Sequence, residues 1–112
     1  MSALLALFAL ASAPVLAADD AVPVAQIYEE KCMACHLPEG KAPVEEMSLA
    51  AGKWRHGTKL PDIVKVIREG VDGTAMQPFK DQLSAKEIEA LARYVRAFDK
   101  RLKPEPEGKG KK

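Results

Sequence analysis

Cys32-Met33-Ala34-Cys35-His36 is the stretch on which the reading of this chain turns. Two thiols separated by two residues, followed at once by an imidazole, are what covalent attachment of a c-type haem requires. The thiols can add to the two vinyl groups of the porphyrin, and their spacing turns both sulfurs to one edge of the ring. The adjacent His36 then lies under the iron and can supply its proximal nitrogen ligand. Met33 is a spacer within the motif.

Working outward, Val24, Ile27, Tyr28 and Lys31 recur at three- and four-residue steps, so a helix runs over Val24 to Lys31 and its apolar face leads into the motif. Pro23 suits the first helical turn, and Asp19 and Asp20 favour a helix N-terminus. Beyond His36, the stretch Leu37 to His56 holds Pro38, Gly40, Pro43 and Gly52 and has no sustained period. A long irregular segment in a small domain is usually functional or wrapped around something; a short helical turn is expected over Glu45 to Ala51. Lys59 to Gly70 reads as a second helix, with Pro61 and Asp62 at its start, Gly70 as its stop, and Leu60, Ile63, Val64, Val66 and Ile67 as its apolar face. Ser84 to Leu102 reads as a third. Ser84 and Glu87 form a capping box, Leu83 and Ile88 a hydrophobic staple, and Ile88, Leu91, Ala92, Val95, Phe98 and Leu102 one face.

Further out lie the ends. Ala3 to Ala13 is almost wholly apolar and is followed by Pro14-Val15-Leu16-Ala17-Ala18, the pattern of a signal peptide over residues 1–17, cleaved after Ala17 or Ala18. No Lys or Arg precedes the apolar run, and an uncleaved anchor is the alternative, although Pro14 interrupts a run that is short for a span. Residues 18–103 then form one domain, and 104–112 a disordered charged tail. Export puts Cys32 and Cys35 in an oxidising compartment. A disulfide staple or a thioredoxin-like dithiol is the rival reading, and the dithiol expects a βαβ context, whereas this chain has few strand-like runs.

The chain has 112 residues and is charge-balanced, with 17 Lys+Arg against 16 Asp+Glu. That balance argues against a nucleic-acid binder. A domain this short gains from a cofactor that its core can form around.

A haem iron held by His36 needs a second ligand or an open position. The candidates are Met33, Met47, Met76, His56 and the lysines. Met76 fits best: a whole helix separates it from His36, glycines precede it, and Pro78 stiffens the exit. A thioether ligand raises the potential relative to the bis-imidazole site that His56 would give. A core-filling Met is the plain alternative for Met76. Trp54, Arg55 and His56 offer an indole N–H, a guanidinium and a ring N–H, and are candidates to bind the haem propionates; an ordinary loop with one core Trp is the other reading.

With Cys32-Met33-Ala34-Cys35-His36, Gly73-Thr74-Ala75-Met76-Gln77-Pro78-Phe79 and Leu91-Ala92-Arg93-Tyr94-Val95-Arg96 in view, the chain resembles a class I c-type cytochrome, of the small bacterial periplasmic monohaem kind. The resemblance implies an all-α cytochrome c fold, with three main helices and loops wrapped around one haem c bound through Cys32 and Cys35. It implies that the first and last helices cross, with Tyr28 meeting Leu91 and Tyr94. In the family a Gly often stands where Val24 is, so the helices cross further apart or Ala25 takes that role. Leu37 stands where Gly often follows the haem-binding His, and Gln77 intervenes before Pro78. The family's proline carbonyl that orients the proximal imidazole corresponds to Pro38 or Pro43.

The expected function is that of a one-electron carrier in a periplasmic respiratory chain, with low-spin iron between His36 and Met76. It is an electron-transfer protein, free or as a subunit of an oxidoreductase, rather than an enzyme in its own right. Its partners are redox proteins (a dehydrogenase, an oxidase or another cytochrome), met as a monomer through small salt-sensitive contacts at which Lys41, Lys53 and Lys80 can face acidic groups. No nucleic acid is expected, and the membrane is reached only through partners or an uncleaved signal. A haem enzyme or gas sensor with a labile distal ligand is the alternative. A third reading is a haem-free thiol or zinc protein using Cys32, Cys35, His36 and His56.

Overall fold

The apolar periodicities of the sequence become three main helices packed on one core. The computed structural model describes residues 22–105, so the expected signal segment and the tail from residue 106 lie outside the described residues. No strand occurs among the described residues.

Helix α1 runs Val24–Lys31 and buries Ile27 and Tyr28. Its last turn closes with the Cys32 amide donating to the Tyr28 carbonyl at 2.9 Å, but Cys32 itself leaves helical geometry (φ −120°, ψ −34°). One further turn, α2, Met33–His36, carries the rest of the motif. The chain then crosses to residue 59 in irregular backbone, with 3-10 turns at Pro38–Gly40 and Glu45–Met47. The second of these is the short turn expected after Val44.

Helix α3, Leu60–Glu69, buries Leu60, Ile63 and Ile67 and stops at Gly70 with φ +69°. Helix α4, Ala85–Arg96, begins with the capping box: Ser84 Oγ accepts from the Glu87 amide at 3.1 Å and Glu87 Oε1 accepts from the Ser84 amide at 2.8 Å. Leu83 and Ile88, the staple pair, are both buried. The α-helix ends at Arg96, short of the expected Leu102. From there the amides of Phe98, Asp99 and Leu102 bond three residues back, to Val95, Arg96 and Asp99. This tightening continues the apolar face as turns rather than α-helix.

α1 and α4 meet through a ring cluster. Tyr28, 1% exposed, lies 5.7 Å from Tyr94 and 5.1 Å from Phe98, and Tyr94 and Phe98 are 5.0 Å apart, the last two pairs edge-on. Such pairs contribute about 0.5–1.5 kcal/mol each beyond their buried area. Val24 is half-buried against the core while Ala25 is exposed, so Ala25 does not take the place of the family's glycine. The wholly buried small residue is Ala92 of α4.

The C-terminal segment is docked. Arg96, 8% exposed, donates to the Thr58 carbonyl at 2.6 Å and to the Lys103 carbonyl at 2.5 Å. The Glu105 carboxylate accepts from the Leu60 amide at 2.5 Å, capping α3, and lies 4.0 Å from Arg96 Nε. Pro104 and Glu105, placed in the disordered tail by the sequence reading, therefore belong to the packed structure; a carboxylate on a helix N-terminus beside a buried guanidinium is well held.

Candidate haem site

His36 is half-buried at the end of α2, and its Nδ1 lies 2.6 Å from the carbonyl oxygen of Met47. A carbonyl only accepts, so Nδ1 carries the proton and Nε2 is the nitrogen left with a lone pair for a metal. The orienting carbonyl is that of Met47, not that of Pro38 or Pro43 as the family resemblance implies. The 3-10 turn at Glu45–Met47 turns this carbonyl inward, and the Met47 amide is itself bonded to the Val44 carbonyl at 2.9 Å. Met47 thus serves through its backbone, a role that leaves no trace in side-chain identity.

Both thiols are free, Cys32 half-buried and Cys35 exposed. Burial pushes the Cys32 thiol up to about 11. A redox dithiol works with a depressed thiol pKa, so the thioredoxin-like reading finds no support in this environment. The zinc reading needs Cys32, Cys35, His36 and His56 to converge; among the described residues no three His, Cys, Asp or Glu side chains do so. His56 is exposed.

Met76 is half-buried against the core. Its loop is folded back on the end of α3. The Met76 carbonyl accepts from the Val71 amide at 2.9 Å, its amide donates to Thr74 Oγ1 at 3.1 Å, and Phe79 and Lys80 amides bond the Ile67 and Arg68 carbonyls at 3.0 and 3.2 Å. Gly70 makes this close return possible. A Cβ there would stand 2.6 Å from the Met76 carbonyl oxygen and 2.7 Å from the Pro78 nitrogen.

The three propionate candidates do not gather. Trp54 donates its single N–H to Asp99 Oδ2 at 2.8 Å, and Arg55 forms an exposed pair with Glu46 at 3.1 Å. Asp99, 1% exposed, also accepts from the Arg101 amide and guanidinium, and Arg101 holds its carboxyl well below the usual carboxylate range. The sequence reading missed Asp99. The readable signal was a carboxylate on the helix face that carries Ile88, Ala92 and Val95.

The donor set and the lining suit a haem. Met33, Leu49, Trp54, Val64 and Met76 pack on the core yet stay only partly covered. Apolar surface of this kind is what a porphyrin face covers.

Residues 19–95 match the family described as "Cytochrome C oxidase, cbb3-type, subunit III". The chain belongs to this family of class I c-type cytochromes. Among solved structures, the cytochrome is similar to one described as "KustC0563 c-type cytochrome", at 32% identity, TM-score 0.53, with 67% of this chain and 95% of that chain covered. No curated protein matches it. The all-α fold is that of cytochrome c. The cytochrome carries haem c covalently, and with two cysteines in the whole sequence the thioethers form at Cys32 and Cys35. It is an electron-transfer protein.

Proposed function

We propose that the cytochrome is a one-electron carrier whose iron is held between His36 and Met76, working in a periplasmic respiratory chain. The observation that carries this reading is the 2.6 Å contact of His36 Nδ1 with the Met47 carbonyl, which fixes the tautomer that leaves Nε2 free to bind iron. The haem supplies a one-electron ferric/ferrous couple. The protein's part is to orient the imidazole, to hold the Met76 loop against α3, and to cover the ring with apolar side chains.

A carrier needs ligands that stay in place through the cycle, so that little structure moves when the electron does. Both proposed ligands are tied by backbone: His36 through Met47, and Met76 through Val71, Thr74 and the close return at Gly70. Partners are redox proteins, and the family match favours an oxidase complex among them. Of the expected docking lysines, Lys41 and Lys53 are paired with Glu39 and Glu45 at 3.8 and 3.6 Å. Lys80 is exposed and, although its charge reaches Glu69, it is the better candidate of the three to face an acidic partner. Export through the N-terminal segment is part of the same proposal; no helix among the described residues is long and apolar enough to cross a membrane.

The test is spectroscopic. The ferric protein is expected to be low-spin with the weak near-infrared sulfur-to-iron band, and Met76→Ala should abolish that band and admit carbon monoxide to the ferrous iron. A high-spin resting spectrum, or immediate carbon monoxide binding by the unaltered protein, would sink the carrier reading in favour of a labile distal site.

A further inference from the structure

A buried carboxylate needs a reason. Taking Asp99 out of water costs several kcal/mol that its partners must offset. What its contacts hold in place is therefore a guide to its role beyond stability. Asp99 Oδ2 accepts from Trp54 Nε1 at 2.8 Å and from Arg101 Nη2 at 2.7 Å, and its Oδ1 accepts from Arg101 Nε at 2.8 Å. The same Arg101 Nη2 donates to the Gly52 carbonyl at 2.9 Å. One clasp on the turn after α4 thus grips two points of the loop that follows the proximal turn.

Gly52 lies directly on that turn. A Cβ on Gly52 would collide with the carbonyl oxygens of Ser48 and Glu45, which lie one residue after and two residues before Met47, whose carbonyl meets His36. On the other side the loop is anchored to Gly40, whose carbonyl accepts from the Leu49 and Ala50 amides at 2.8 and 3.1 Å and from Ser48 Oγ at 3.2 Å. The chain that follows the Met47 carbonyl is therefore held at two places, Ser48, Leu49 and Ala50 on the Gly40 carbonyl and Gly52 and Trp54 on the Asp99–Arg101 clasp.

We infer that Asp99 and Arg101 are positioning residues for His36: by gripping Gly52 and Trp54 they hold the Met47 carbonyl against the imidazole and set how strongly its free nitrogen donates to iron. This rests on His36 being the proximal ligand. An Nδ1–H bonded to a well-held carbonyl makes the ring a stronger donor, which favours the ferric state; outer partners of this kind tune a metal centre without touching it. Loosening the clasp weakens that bond, raises the reduction potential and frees the Nδ1 proton to exchange.

The experiment uses the haem-bound protein and two variants, Asp99→Asn and Arg101→Gln. The readouts are exchange of the His36 Nδ1 proton by NMR and the reduction potential. Ser84→Ala, which removes a helix cap on the far end of α4, serves as a control for general destabilisation. Both variants are expected to exchange about tenfold faster, the signature of a local rather than a global opening, with a positive shift in potential that the control lacks. If Asp99→Asn fails to mature, Arg101→Gln, whose side chain is largely exposed, decides alone. Exchange and potential that stay with the control overturn the clasp. If the hyperfine-shifted imidazole of the unaltered protein is not that of His36, the ligation reading falls and the clasp with it.

Discussion

At Leu37 the backbone leaves the haem motif with φ 61° and ψ 168°. That conformation is close to reserved for glycine and costs a side-chain-bearing residue about 1–3 kcal/mol. It persists because the surroundings fix it: the Tyr28 hydroxyl donates to the Leu37 carbonyl at 2.5 Å from inside the α1–α4 contact. Burial raises the Tyr28 pKa, so the hydroxyl keeps its proton. The sharp exit sends the chain round to Gly40 and so brings the Met47 carbonyl back to His36. Leu37→Gly should therefore stabilise the protein, by about 1 kcal/mol once the glycine's greater unfolded freedom, about 0.5–1 kcal/mol, is deducted. Urea unfolding of the haem-bound protein measures it; an unchanged or lower midpoint would mean that the leucine side chain contributes packing worth more than the strain.

Among the elements, the loop after α3 is the most tightly specified. Residues 70–79 return on themselves because Gly70 lets the Met76 and Pro78 backbone come close to its Cα. Gly70→Ala has to push that backbone away, since the clashing atoms are main chain and the φ of +69° is unfavourable for alanine. The expected result is a weakened or lost near-infrared sulfur-to-iron band with α3 and α4 intact by far-ultraviolet circular dichroism; a full-strength band would show that the loop does not position Met76. The three main helices were legible because their apolar residues recur with the helical period and their starts carry Pro61 and Ser84 signals. Cys32-Met33-Ala34-Cys35-His36 was legible because its chemistry lies in side-chain identity. The Met47 carbonyl was not, since any residue offers one, and only the path of the chain between His36 and Trp54 aims it. The end of α4 was misplaced for a related reason: Phe98 and Leu102 keep the apolar period in turns that the period alone does not distinguish from helix.

Over the whole molecule, residues far apart in the chain close on one another. Tyr28 meets Tyr94 and Phe98, Trp54 meets Asp99, and Leu60 meets Glu105. Asp99 ties global stability to pH. Its pKa is depressed in the folded state from an ordinary 3.8, chiefly by its hydrogen bonds to Arg101, so its contribution is fully present above that value and is lost as pH falls below it. The gap in urea midpoint between the unaltered protein and Asp99→Asn should narrow as pH drops below 3.8; a gap constant down to the acid limit of folding would remove Asp99 from the linkage. The half-buried Cys32 bears on how the protein matures. Burial that pushes the thiol up to about 11 disfavours the thiolate, its more nucleophilic form. The folded chain is thus a poor substrate for its own modification. Attachment at Cys32 is therefore easier while the segment is still open than after it has packed.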